Sequence, residues 1–505
     1  MSVIVSVWGD PSQWDFVRYY VEDLGGGGFK SSSRKYKSTL GALMEFYGDA
    51  RVLLFVASTL VRFPGRVFER YSEVVDDVML NVSGFLKSGD YCVDLGRVEL
   101  RVLPGIGRFK PKGSDVTIDF IGNINAFRVA ASISAYEFIS EIKPETLILD
   151  ISHGVNYMPV YVRQSVYDAF NAYVASSGES GRWVVYNSEP FTKGANVEDL
   201  RLNIVEDVEI NAIRAREYLY NEFESLYVNG NFKPYKPDVK NLESVRVWRK
   251  LNEQTIKFVK FSMMGQILPL IESMKELIRF ESEKLMCELK KYSYLEDCDD
   301  IVDVKSNGKS LKVQYLHAPQ YQTTLMIFIK NIMEKQSDRE IIEAEDGYEI
   351  EGLKKVAEKF IREPGGTLVK NELSQMRERA ELCKELQLKL NEWTPYKAII
   401  EVGEKQVEFE GRKIKLILIY RNYKDGKMKE EKFKEIIVRE RENLQEDLKE
   451  FMKTKSIDKR NLIAHASLEG NITLLSMRNE KIYVKHSPEK DLQEQLNNIL
   501  KEIIK

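Results

Sequence analysis

"ETLILDISHGVN", Glu145 to Asn156, passes within a few residues from a continuous apolar run to a polar turn. Leu147, Ile148 and Leu149 leave no polar position between them, the pattern of a strand in a sheet covered on both faces. The turn that follows offers Ser152, His153, Gly154 and Asn156. In a parallel sheet it emerges at the carboxyl end of its strand, the edge on which open α/β folds bind ligands.

Outward from this stretch, five more runs of the same kind alternate with helical patterns: "VIVSVW", "ARVLLFVAST", "ELRVL", "RWVVYN" and "LRLNIV". Together they specify an α/β Rossmann-like domain with a mainly parallel sheet over residues 1–205. The composition then changes, for only 44 of the 153 charged residues lie in the first 200 positions. Beyond 205, apolar residues return every three or four positions in long charged segments, the pattern of a mainly α-helical domain. We divide it into a helical linker and start of the helical domain (206–300), an insertion of mixed character (301–430) and terminal helices (431–505). Within the insertion, "REPGGTLVKNE" from Arg362 reads as turn-rich, and "VEFEGRKIKLILIYRNYKDGK" from Val407 as a strand pair or exposed hairpin.

A chain of 505 residues with 43% hydrophobic and 30% charged residues is globular. Its net charge of -3 gives no global field to attract nucleic acid, so such a site has to be a local patch. The four cysteines form neither a C-x-x-C pair nor zinc spacing, which suits a reducing compartment. No run approaches the roughly eighteen apolar residues of a membrane span. A soluble, cytoplasmic protein without a membrane partner is the expectation.

A second loop, "WGDPSQW" from Trp8, also follows a strand directly, and in a parallel sheet it shares a rim with "SHGVN". Aromatic rings there can stack on bases, while hydroxyl, amide and backbone N–H groups can bond phosphates and ribose. The competing reading is a pair of ordinary turns in which Asp10, Ser152 and Asn156 are caps. The basic stretch "GGGGFKSSSRKYKS", Gly25 to Ser38, is either a loop over an anionic ligand or a plain connection. It has neither the P-loop nor the G-x-G-x-x-G spacing, so ATP hydrolysis and dinucleotide binding have no motif behind them.

Near the carboxyl end, "KRNLIAHASLEGN" sets Arg460 and His465 in the loose pattern R-x(4–6)-H. Asp458 or Ser456 can start a helix that continues through "RNLIAHASLE", and Gly470 with Asn471 can stop it. At about 100° per residue, Asn461 and His465 share a face while Arg460 lies about 140° away. Arg460 must therefore reach round from the first turn, or a second chain must complete the site. Small Ala464 and Ala466 would let another helix approach. An Arg and a His without a metal cluster suit RNA cleavage through its own 2′-hydroxyl, which needs only proton transfer and charge neutralisation at phosphorus. The alternative is a surface helix with an ion-pairing Arg and a capping His.

"WGDPSQW", "DISHGVN" and "RNLIAH", in this order, resemble the CARF–HEPN ribonucleases of type III CRISPR systems, in which a Rossmann-like CARF sensor precedes a helical HEPN ribonuclease domain. The resemblance covers both ends of the chain and leaves roughly 300 to 430 unaligned. It implies a metal-independent single-stranded RNA endoribonuclease of antiviral defence, without cofactor, switched on by a cyclic oligoadenylate, cyclic tetra-adenylate by preference, bound across a CARF dimer. The ligand-contacting residues it implies are Trp8, Gly9, Asp10, Trp14, Ser152, His153, Gly154 and Asn156, with Ser32 and Ser33 as weaker additions. Arg460 would stabilise the phosphate, His465 would act as general acid or base or position the 2′-hydroxyl, and Asn461 would orient His465 or the RNA backbone. A homodimer or higher homo-oligomer would pair two such sets, and the products would carry a 2′,3′-cyclic phosphate and a 5′-hydroxyl. The rivals are a CARF-type regulator or binding module without nuclease activity, and a HEPN ribonuclease sensing another nucleotide. Ring size, RNA preference and cleavage of the activator by the sensor itself are left open.

Overall fold

The structure, a computed structural model, describes the chain apart from residues 64, 89–93, 111–114, 156, 191–197, 230–241, 297, 317–319, 339–340, 342–345, 389–392, 452–456, 458, 471 and 505. It divides into two compact units, Met1–Asn252 with Phe280–Gln336, and Glu253–Arg279 with Ser337–Lys505. None of the described helices is long and apolar enough to cross a membrane.

The first unit is built on an eight-stranded sheet. Its strands are β1 (Ser2–Trp8), β2 (Arg18–Glu22), β3 (Phe29–Ser31), β4 (Arg51–Ala57) and β5 (Val98–Leu103), and, after two strands of a smaller sheet, β6 (Gly107–Phe109) and β7 (Thr117–Ile121), β8 (Thr146–Asp150), β9 (Gly181–Ser188) and β10 (Asp199–Ile210). The order is β3-β2-β10-β9-β8-β1-β4-β5, and the run from β9 to β5 is parallel throughout. Antiparallel pairing enters only where β10 joins β9 and β3 joins β2. All six apolar runs read from the sequence are strands of this sheet. Both alternations along the central strands are buried: Ile4, Leu54, Ile148 and Val184 on one side, Val3, Val5, Leu53 and Leu149 on the other. That double burial is why no polar alternation marks them.

The basic stretch from Gly25 is not one loop. Phe29–Ser31 pairs with Tyr20–Glu22 as a hairpin arm, closed by Gly25, Gly26 and Gly28 at positive φ. Residues 302–315 also depart from the inferred partition. β11 (Val302–Ser306) and β12 (Ser310–Tyr315) complete the smaller sheet, β12 lying parallel to β7. The segment 301–336 therefore packs with the first unit, and only 337–430 with the second.

The second unit is mainly helical and carries a four-stranded sheet that the helical periodicity did not announce. Its central hairpin, Thr473–Arg478 with Lys481–His486, turns at Asn479 and Glu480, both at positive φ. This is the two-residue turn that matches strand twist, made without glycine. "REPGGTLVKNE" is turn only at its start, for a helix runs from Gly365 to Glu385. Its glycine serves close packing: a Cβ on Gly265 would lie 3.3 Å from the Gly365 Cα. The expected hairpin is present at Gln406–Phe409 and Arg412–Lys415, but Leu416–Lys424 continues as a helix.

Candidate functional site

β1 and β8 are adjacent and parallel, with Ser6 opposite Asp150. The loops after them consequently lie side by side, joined by the Gly9 N–H donating to the His153 carbonyl at 2.8 Å. Neither Gly9 nor the neighbouring Gly154 has room for a side chain. A Cβ on Gly9 would collide with Val155, and one on Gly154 would lie 2.5 Å from Pro159 Cγ.

Beneath the rim sits Asp150, fully buried, a residue that the motif reading passed over. Its carboxylate accepts from Ser6 Oγ at 2.9 Å, Thr39 Oγ1 at 2.7 Å and the Ser152 N–H at 3.1 Å. The Thr39 N–H in turn donates to His153 Nε2 at 3.1 Å. That nitrogen is therefore an acceptor, which assigns the His153 proton to Nδ1. Burial pushes the His153 imidazole below its ordinary value, against the opposing pull of the Asp150 charge. Trp14 stacks on His153 with ring centroids 4.1 Å apart and meets buried Trp8 edge-on at 5.1 Å.

A cleft of about 610 Å³ opens here, lined by Trp14, Ser152, His153 and Gly154 together with Tyr19, Lys37, Asn187 and Ser188. The other candidates stand behind it or apart. Asp10 caps the short helix Pro11–Gln13 through the Ser12 N–H at 3.0 Å. The Ser152 hydroxyl accepts from the Ser188 N–H at 3.0 Å, so it ties β8 to β9. Ser32 is buried and bonds Tyr19 N–H and the Arg34 carbonyl. Ser33 gives its N–H and hydroxyl to Glu45, at 2.7 and 3.0 Å. Burial works against the Glu45 carboxylate, but its bonds from Tyr36 and Ser33 prevail and hold it below the ordinary range. Asn156 lies outside the described residues.

In the second unit the helix that bears the Arg–His pair is shorter than its pattern suggests, running from Lys459 to Ala464. It ends in paired bonds, Ser467 N–H to the Leu462 carbonyl at 2.8 Å and Ala466 N–H to the Ile463 carbonyl at 3.3 Å. This is a Schellman turn with His465 at the C-cap. Ala466 and Ser467 take φ of 54° and 67°, positions usually filled by glycine. Tertiary bonds hold them there: Ile267 N–H to the Ala466 carbonyl, Leu268 N–H to Ser467 Oγ, and the His486 ring to the Ser467 carbonyl at 2.9 Å. Ala466 is thus buried within its own unit, and of the two alanines only Ala464 is exposed. Asp458, Ser456 and Asn471, the expected helix signals, lie outside the described residues.

Arg460, Asn461 and His465 are all exposed. The His465 side chain is 47% exposed, and its Nδ1 lies 3.1 Å from Oε1 of Glu372, whose own side chain is 11% exposed. Glu372 comes from the Gly365–Glu385 helix, far upstream, where no spacing in the sequence links it to His465.

Residues 3–190 match the family model of the CARF domain of the CRISPR system endoribonuclease Csx1, and residues 362–488 match the model of its HEPN domain. The chain belongs to the CARF–HEPN family. The cleft with Trp14 and His153 lies within the CARF match, and Arg460, Asn461, His465 and Glu372 lie within the HEPN match. The CRISPR system endoribonuclease Csx1 of Methanocaldococcus jannaschii is 28% identical over 207 residues, which span 41% of this chain and 40% of that relative. Among solved structures, Enterococcus italicus Csm6 bound to cyclic hexa-2′-fluoro-hexa-dAMP is similar at a TM-score of 0.24 and 11% identity, over 88% of this chain and 99% of that one.

Proposed function

We propose that this CARF–HEPN protein is a cyclic-oligoadenylate-activated endoribonuclease that cleaves single-stranded RNA without a metal in type III CRISPR defence. The observation that carries the reading is the presentation of His465. Its backbone is fixed by the Schellman turn, its Nδ1 lies 3.1 Å from Glu372, and its half-exposed side chain stands at the C-cap of the short helix that carries Arg460 and Asn461.

In the reaction, the ribose 2′-oxygen attacks the adjacent phosphorus and the bond to the 5′-oxygen of the next nucleotide breaks. One proton leaves the 2′-hydroxyl and one reaches the departing oxygen. His465 carries a proton through Nε2, Arg460 offers its planar fork to the phosphate oxygens, and Asn461 orients the RNA backbone. Arg460 precedes His465 by more than a turn, so two chains pairing their HEPN domains supply a more complete site than one. In the sensor, the rim of Trp14, Ser152, His153 and Gly154 takes half of a ring of adenosines, and a two-fold partner takes the other half. Lys37 at the edge of the cleft supplies positive charge for its phosphates.

The test is the chemistry of the ends. In excess EDTA the 3′ fragments should carry a free 5′-hydroxyl, phosphorylated by a kinase without prior phosphatase treatment, and the 5′ fragments a 2′,3′-cyclic phosphate. Fragments with 5′-phosphates would rule the mechanism out.

A further inference from the structure

We infer that Glu372 is the positioning residue for His465: it holds the imidazole with its proton on Nδ1 and leaves Nε2 as the nitrogen that exchanges protons with RNA. This rests on the ribonuclease reading and deepens it. A side chain 47% exposed is otherwise free to turn about χ1 and χ2 and to exchange tautomers. Here one end of the ring is 3.1 Å from a carboxylate oxygen, an acceptor that only an N–H can satisfy.

The carboxylate is itself well placed to impose a geometry. Glu372 lies on a helix face whose neighbours Val369, Leu373 and Met376 are fully buried, so its rotamer is set by packing rather than by solvent. The histidine arrives from the other side with its backbone fixed, since its N–H donates to the Asn461 carbonyl at 2.9 Å and its carbonyl accepts from Leu468 N–H at 2.8 Å. Two rigid supports thus meet at one nitrogen–oxygen contact of 3.1 Å, and the ring nitrogen placed there decides which one faces the substrate. Glu372 lies behind the ring and need not touch RNA, so its contribution should appear in turnover and not in substrate affinity.

The experiment has two readouts. The first is the ¹⁵N NMR signature of His465, assigned by its loss in His465→Ala, at mildly alkaline pH. Wild type should show a protonated Nδ1 and an unprotonated Nε2, and Glu372→Gln should move the population toward protonated Nε2. The second is kinetic: Glu372→Gln should lower kcat by about tenfold to a hundredfold with KM unchanged, a smaller loss than the roughly 10²–10⁴ that acid–base catalysis is worth. A wild-type His465 protonated on Nε2 would overturn the inference, as would a Glu372→Gln enzyme as fast as wild type while His465→Ala is inactive. Absence of any RNA cleavage by wild type would instead defeat the ribonuclease reading, and the NMR result would still decide the role of Glu372.

Discussion

At the scale of single residues, the rim at the ends of β1 and β8 is organised by a carboxylate that never reaches its surface. Asp150 accepts three hydrogen bonds, from Ser6, Thr39 and the Ser152 N–H, and through Thr39 it sets the acceptor role of His153. Asp150→Asn puts an N–H₂ group where at least one donor already points, so it should cost about 1–3 kcal/mol. Denaturant unfolding should show that loss, and ring titration by calorimetry should show weaker binding; unchanged affinity would detach Asp150 from the ligand site. His153 also predicts a pH dependence. Its folded value lies below the ordinary one near 6.5, so the unfolded chain binds the extra proton first as pH falls. Its stabilisation is complete above about pH 6.5 and is lost below it. Wild type should therefore lose more stability than His153→Gln between about pH 7 and pH 5, and equal slopes in urea unfolding would contradict a buried neutral ring. The turn of Ser152, His153 and Gly154 was legible as a strand-end loop because a short polar segment directly follows the apolar run of β8. Glu372 was not, because a pairing between distant segments leaves no local pattern.

At the scale of elements, the central parallel strands β1, β4, β5, β8 and β9 were legible because an unbroken apolar run between turn residues has no good alternative in a covered sheet. The turn that carries His465 was misjudged for the opposite reason. Gly470 looked like the helix stop, yet the chain reverses at Ala466 and Ser467, where left-handed backbone is upheld by bonds donated from Ile267, Leu268 and His486. Tertiary support replaced the glycine that local chemistry would ask for. Ala466→Val adds a branched side chain to a buried position with φ of 54°, and should destabilise the protein by about 2 kcal/mol or more. Thermal unfolding measures this, and a midpoint equal to that of wild type would refute the turn as described. The glycines of "REPGG" misled in the same way, since Gly365 serves a close approach to Gly265 rather than a bend.

At the scale of the whole molecule, two compact units carry two chemistries: a rim of rings and hydroxyls at parallel strand ends, and an exposed histidine braced by a buried carboxylate. Charge density divided the chain near residue 205, but strands of the smaller sheet are drawn from both 107–121 and 302–315, and such a return of the chain has no signature in composition. We propose that ligand binding in the first unit governs the second. A ligand achieves this only by favouring one arrangement of the nuclease over another, by a few kcal/mol. The most direct measurement is cleavage of a labelled single-stranded RNA in excess EDTA with no ring, cyclic tetra-adenylate or cyclic hexa-adenylate, by wild type and His465→Ala. Metal-free cleavage should be switched on by cyclic tetra-adenylate and abolished in His465→Ala. Cleavage indifferent to either ring, or undiminished in His465→Ala, would contradict the proposal.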